Sequence, residues 1–98
     1  MDKPKETPVI VCGGSQGRAV IYGYVSKVPE PDQSVMITRA RMILRWAEIG
    51  LLGVAAEGPR GDSRLTYAVS EVRDTCRQCV VCTQNAAKAL DEWPTWEG

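Results

Sequence analysis

Ala40-Arg41-Met42-Ile43-Leu44-Arg45-Trp46 opens the stretch whose reading decides how this chain folds. Successive residues along it change character with the period of a β-strand. Arg41, Ile43 and Arg45 project to one side, and Met42, Leu44 and Trp46 to the other. The second set is the natural core set, so the two arginines are expected to share the opposite face. The period then changes. Leu51, Leu52, Val54, Ala55 and Ala56 fit a short helix over Gly50–Glu57. Gly58 can take the positive φ that follows a helix, and Pro59 forbids continuation. Arg60-Gly61-Asp62-Ser63-Arg64 is a short polar loop. Arginines, a hydroxyl and free loop N–H groups so close in sequence could hold a phosphate. They would also make a solvated strand face followed by a basic loop.

Outward from that stretch, residues 1–8 read as a charged, flexible segment and residues 9–98 as one small β-rich domain. Val9–Cys12 and Arg18–Val25 are strands joined through the turn cluster Gly13-Gly14-Ser15-Gln16-Gly17, a hairpin with a longer loop. Ala19, Ile21, Gly23 and Val25 share one face of the second strand, and Val20, Tyr22 and Tyr24 the other. Both faces are apolar, which predicts a central strand or one at a subunit contact. Val28–Gln33 is a loop. Ser34–Thr38 begins a strand that either runs through Arg39 and Ala40 into Trp46 or breaks there. Leu65–Val69 reads as extended and Val72–Cys82 as a long strand. Thr83 is a good N-cap for a helix over Gln84–Glu92. The fold class is therefore α+β: mainly antiparallel β-sheet with one short middle helix and a C-terminal helix. Trp93 and Trp96 are expected to dock on the sheet or on a neighbouring subunit, because exposed indoles leave large apolar area in water.

Composition narrows the chemistry. The chain has 98 residues, 44% of them hydrophobic, with twelve acidic and twelve basic residues. Balanced charge argues against a duplex nucleic-acid partner but not against a local pocket for a small anion. No segment is long and apolar enough to span a membrane, and the first residues lack the apolar run of a signal peptide, which predicts the cytoplasm. Histidine is absent, which removes the commonest general base and zinc ligand. Ser63 therefore has no imidazole partner, and Asp62, Asp74 and Glu57 show no spacing for a carboxylate pair. Cys76, Cys79 and Cys82 have part of a metal-site spacing, but on a strand Cys79 faces away from the other two. The expectation is a binding protein rather than an enzyme, with no metal and no cofactor.

The Ala40–Trp46 strand, the short alanine-bearing helix ending Glu57-Gly58, the polar loop, the strand reaching Cys82-Thr83 and the Trp-containing end resemble small phage-encoded proteins. They are similar in particular to the anti-Thoeris sponge proteins, which bind and sequester a cyclic ADP-ribose immune signal. The matching positions are Arg41, Trp46, Glu57 and Gly58. The helix Gly50–Ala56 departs from the serine-containing pattern of the sponges, and function can diverge on one fold. The resemblance implies a non-catalytic protein of the host cytoplasm, a homo-oligomer with a nucleotide pocket at a subunit contact. Arg41, Arg45, Arg60 and Arg64 would clamp a pyrophosphate with the help of Ser63 and Gly58. Trp46 would stack on a base or belong to the core. The alternative is an inhibitor that binds a host protein, anti-CRISPR-like, or a small structural phage domain. Tyr22, Tyr24, Trp93 and Trp96 would then form the interface.

Overall fold

The computed structural model describes residues 6–13, 19–45 and 50–96. Strands β1 (Thr7–Gly13), β2 (Ala19–Val25) and β3 (Ser34–Arg45) are followed by helix α1 (Gly50–Glu57), the two-residue strand β4 (Arg64–Leu65), the long strand β5 (Val69–Val81) and helix α2 (Gln84–Glu92). The class is α+β, mainly antiparallel sheet with a short middle helix and a C-terminal helix. Strand pairing already begins at Thr7, opposite Val25.

The sheet order is β2-β1-β5-β3-β4, and β2 also pairs with β3. That extra pairing closes β1, β2, β3 and β5 into an antiparallel ring with β4 as a fringe. Closure is possible because β3 and β5 are long enough to serve two neighbours each. The first half of β3 pairs with β5 and its second half with β2 and β4; β5 pairs with β3 before Cys76 and with β1 from Cys76 onward.

A closed ring needs apolar residues on both sides of its wall when helices cover the outside. Inside lie Val9, Val11, Ile21, Val25, Ile37 and Cys76, drawn from all four ring strands. Outside, Ile10, Tyr22, Ile43 and Leu65 pack under Val54 of α1 and Ala86, Ala87 and Leu90 of α2. The two-sided apolar character of β2 is thus satisfied within one chain. Gly23 keeps the interior closed, since a Cβ there would lie 2.3 Å from Ile37 Cγ2 and 2.8 Å from the Thr38 carbonyl oxygen.

The helices end where local chemistry ends them. Gly58, at φ 93°, donates its N–H to the Val54 carbonyl at 2.8 Å and closes α1. Thr83 caps α2 by accepting from Ala86 N at 3.1 Å, and its hydroxyl donates to the Ala56 carbonyl at 2.7 Å, tying one helix to the other.

Two expected face assignments are corrected. Met42 and Leu44 are 41% and 44% exposed, whereas Arg41 and Ile43 are buried on the helix side. The cause is a bulge: β2 advances two residues from Tyr22 to Tyr24 while β3 runs from Arg41 to Thr38, and Arg39 takes φ 50°. Val35 and Ile37 face the ring interior before the bulge, and Ala40 continues that face after it. A second shift on β5, where Cys12 pairs with Gln78 and Gly13 with Cys76, puts Cys79 against the same inner core as Cys76 and sends Cys82 to the helix side.

Candidate functional site

Arg41 does not stand on an open face. It is 4% exposed, below α2 and opposite Tyr22. Its Nε donates to the Thr66 carbonyl and its Nη1 to the Leu90 carbonyl, both at 2.7 Å. Leu90 lies in the last turn of α2, where carbonyls lack helical partners and the helix dipole favours a cation. Burial pushes the guanidinium pKa down, while Asp91 and Tyr22 pull it back up. Its Nη2 is buried without a hydrogen-bond partner.

The other basic residues near this strand are separate from Arg41 and each has a contact of its own. Arg45 Nε lies 3.1 Å from Asp62 Oδ2, and Arg60 Nη2 lies 2.9 Å from Glu57 Oε1. The Arg64 guanidinium sits over the Trp96 ring at 5.1 Å. Ser63 is buried and its hydroxyl donates to the Arg60 carbonyl, closing the loop on itself. Gly58 is buried against Ala89 of α2. Trp46 lies outside the described residues. The structure therefore brings Arg45 and Arg64 together, as a register pair on β3 and β4, but not the four arginines around one point.

The aromatic residues divide in the same way. Tyr22 is fully buried, with its hydroxyl 3.0 Å from Asp91 Oδ1 and 3.1 Å from the Ala87 carbonyl. The Tyr24 hydroxyl donates to the other Asp91 oxygen, and Arg39 covers the Tyr24 ring at 3.8 Å. Burial raises both phenol pKa values, and the Asp91 carboxylate adds to the rise. Trp93 is half-buried and donates Nε1–H to the Ser63 carbonyl at 2.8 Å. Trp96 is exposed, and its backbone N–H donates to the Leu65 carbonyl, so the tail runs beside β4.

What the sequence reading passed over is the mouth of the ring. The bulge that buries Arg41 turns Met42 onto the interior side, where it pairs with Ile21. Ile21, Ala40, Met42, Thr66, Tyr67, Val69 and Val72 line a cavity of about 250 Å³ there. Tyr67, 68% exposed, stands at its rim with Val69 and Met42. Arg64 lies two residues before Thr66 in the chain, across Leu65, whose side chain enters the helix-side core. The mouth is thus an apolar recess with a threonine and a tyrosine at its edge. The one legible hint was Tyr67, an aromatic residue in the short break between two strands.

The cysteines offer little chemistry. All four are free thiols. Burial raises each pKa, to about 11 for Cys79 and about 12 for Cys82, and neighbouring cysteine charge adds to both. Thiols so shifted are poor nucleophiles near neutrality. Among the described residues no group of histidine, cysteine or carboxylate side chains could hold a metal ion, and no helix is long and apolar enough to cross a membrane.

Comparison with known proteins gives a family. Residues 6–90 match the domain of unknown function DUF6948, and the chain belongs to that family. The match runs from β1 through most of α2, so it includes the whole ring and the mouth. No curated protein and no solved structure matches the chain.

Proposed function

We propose that this protein is a non-catalytic binding domain that sequesters a small planar anion of nucleotide type in the mouth of its ring. The observation that carries the reading is the recess lined by Ile21, Met42, Val69 and Val72, with exposed Tyr67 at its rim; Arg64, over the Trp96 ring, is two residues from the lining residue Thr66 in sequence. An apolar recess with few polar groups at its edge is what a flat aromatic ligand needs, and an aromatic face accepts any base. Arg64 supplies a guanidinium for the phosphate; among the described residues its contact is the Trp96 ring. Arg45, held by an exposed carboxylate, is a second and weaker contributor. The role resembles that of the phage sponge proteins in kind: the ligand leaves unchanged, since among the described residues the mouth offers the Thr66 and Tyr67 hydroxyls beside apolar side chains and no metal-binding group.

The test is a melting screen against linear and cyclic nucleotides, cyclic ADP-ribose isomers included, with the ligand recovered by heat denaturation and analysed by mass. A ligand at a hundred times its dissociation constant stabilises the fold by about 2.7 kcal/mol. A raised melting temperature with intact ligand supports the proposal. No shift with any nucleotide sinks it, and a chemically altered ligand shows an enzyme.

A second reading has its own observation. Met42, Leu44, Tyr67, Val69 and Trp96 are all large and exposed. A partner protein could cover such a strip, and so could a second copy of this chain. Both faces of β2 are covered within the chain, so these exposed side chains, rather than β2, are the surface proposed for a homo-oligomer. Sedimentation at micromolar concentration checks that, and a monomer counts against it.

A further inference from the structure

We propose that Arg41 is a positioning residue for the mouth. From the helix side of the sheet it fixes the Thr66 carbonyl, and so sets the backbone that presents Thr66 and Tyr67 to the cavity. The consequence for ligand binding rests on the reading above; the positioning itself rests on geometry.

The rim is weakly built without it. Strand β4 has two residues, joined to β3 through Ile43↔Leu65 and Arg45↔Arg64. A strand that short holds no conformation by its own ladder. Immediately after it, Thr66 is gripped at three atoms. Its N–H donates to the Met42 carbonyl at 3.0 Å, its Oγ1 accepts from Met42 N at 2.9 Å, and its carbonyl accepts from Arg41 Nε at 2.7 Å. The first two bonds lie along β3. The third reaches through to the helix layer, because the same guanidinium donates to the Leu90 carbonyl of α2. Arg41 therefore ties the mouth to the end of α2.

Plain packing does not account for an arginine here. The side chain is 4% exposed and its Nη2 has no hydrogen-bond partner. An apolar residue would cover similar area without a buried cation or an open donor. What an apolar residue cannot do is hold two main-chain carbonyls from different layers at one spacing, which the planar guanidinium fork does.

The test is amide hydrogen exchange by NMR on the whole chain, comparing wild type with Arg41→Met, Arg41→Lys and Asp91→Asn. Asp91→Asn weakens the Tyr22 and Tyr24 contacts to α2 and removes a charge that favours the Arg41 guanidinium, yet leaves the Arg41–Thr66 bond itself in place. In Arg41→Met the Thr66 and Met42 amides should exchange at least about tenfold faster relative to the ring amides of Val9 and Ile10, the loss expected for one charge-assisted bond. Arg41→Lys should restore part of the protection, and Asp91→Asn should leave these two amides unchanged. Uniform acceleration over the ring in Arg41→Met, or the same local acceleration in Asp91→Asn, would reduce Arg41 to general support for α2 and overturn the proposal. If Arg41→Met does not fold, Arg41→Lys carries the comparison. In the wild-type chain the Arg41 Nε–H must also be protected as long as the Thr66 amide; faster exchange overturns the proposal. Titration with adenosine monophosphate gives the binding arm. Arg41→Lys should weaken its binding about tenfold and Asp91→Asn should not. If the wild type binds none, the binding reading loses this ligand while the exchange data still decide the positioning.

Discussion

Tyr22 has no exposed surface, yet its hydroxyl sits within reach of the Asp91 carboxylate and the Ala87 carbonyl, both on α2. Tyr22→Phe keeps the ring and removes the donor, so it should cost about 1–2 kcal/mol, read as a lower urea midpoint at unchanged slope. Titration of the buried acids adds a pH effect. Tyr22, Tyr24, Cys79 and Cys82 all have pKa values raised in the fold. Their neutral forms are favoured in the native state, so the unfolded chain loses protons first as pH rises. The stability they contribute is complete below the ordinary thiol value of 9.0 and falls as pH climbs through about 11 and about 12 for Cys79 and Cys82. Denaturation midpoints should be flat between pH 7 and roughly 8.5 and decline above that; a rise in that range would contradict the burial of these groups. At this scale the sequence was legible for the two apolar faces of β2 but not for Tyr22 itself, expected at an interface and found wholly buried under α2. It misled for Arg41, because a buried guanidinium is stable only beside carbonyls that come from elsewhere in the fold.

Elements were read best where their chemistry is local. Thr83 as N-cap, Gln84–Glu92 as helix and Gly58 as the positive-φ stop of α1 all follow from side chains and backbone within one turn, and the structure has each of them. The β3 strand was read correctly in its alternation and wrongly in its facing, because one bulge at Arg39 sets which face looks inward. No local signal marks that bulge: an arginine at φ 50° has no preference for it, and the neighbouring Tyr24 ring and Glu6 carboxylate hold it there. Arg39→Val should therefore cost about 1–2 kcal/mol through left-handed strain on a branched side chain. Arg39→Gly should cost less, since relief of strain offsets the lost Tyr24 contact. Thermal denaturation of both variants checks the order; equal losses would mean that the side-chain contacts, not the backbone, decide it.

For the whole molecule, the antiparallel α+β class was legible and the ring was not. Ring closure depends on β3 and β5 each serving two neighbours, a property of length and twist rather than of residue type. The mouth was hidden for the same reason: Ile21, Met42, Val69 and Val72 look like ordinary core residues until the ring gives them an open end. The arginine cluster dispersed because each cation found a nearer partner. Under the binding reading, Arg64→Ala and Tyr67→Ala should each weaken nucleotide affinity about tenfold or more and shift the melting temperature of the free protein little, both being at least partly exposed. Arg60→Ala, on the loop and paired with Glu57, should leave affinity unchanged. Isothermal titration separates these outcomes, and equal effects from all three would return the ligand to the loop.

Closure of the ring also governs how the chain reaches its native state. β1 finds its second neighbour only in β5, with Val9 opposite Val81, so almost the whole polypeptide must exist before the last seam can form. Contacts so distant along the chain make for slow, cooperative folding, in the range of milliseconds to seconds rather than microseconds. They also leave no early stopping place. A fragment ending before Val69 contains β1, β2 and most residues of the inner core, yet has an unsealed seam with bare strand edges. Such a fragment should show no cooperative melting and should be digested by protease at the rate of an unfolded chain. On a ribosome, the emerging chain would stay unfolded and in need of protection until β5 is clear of the exit tunnel.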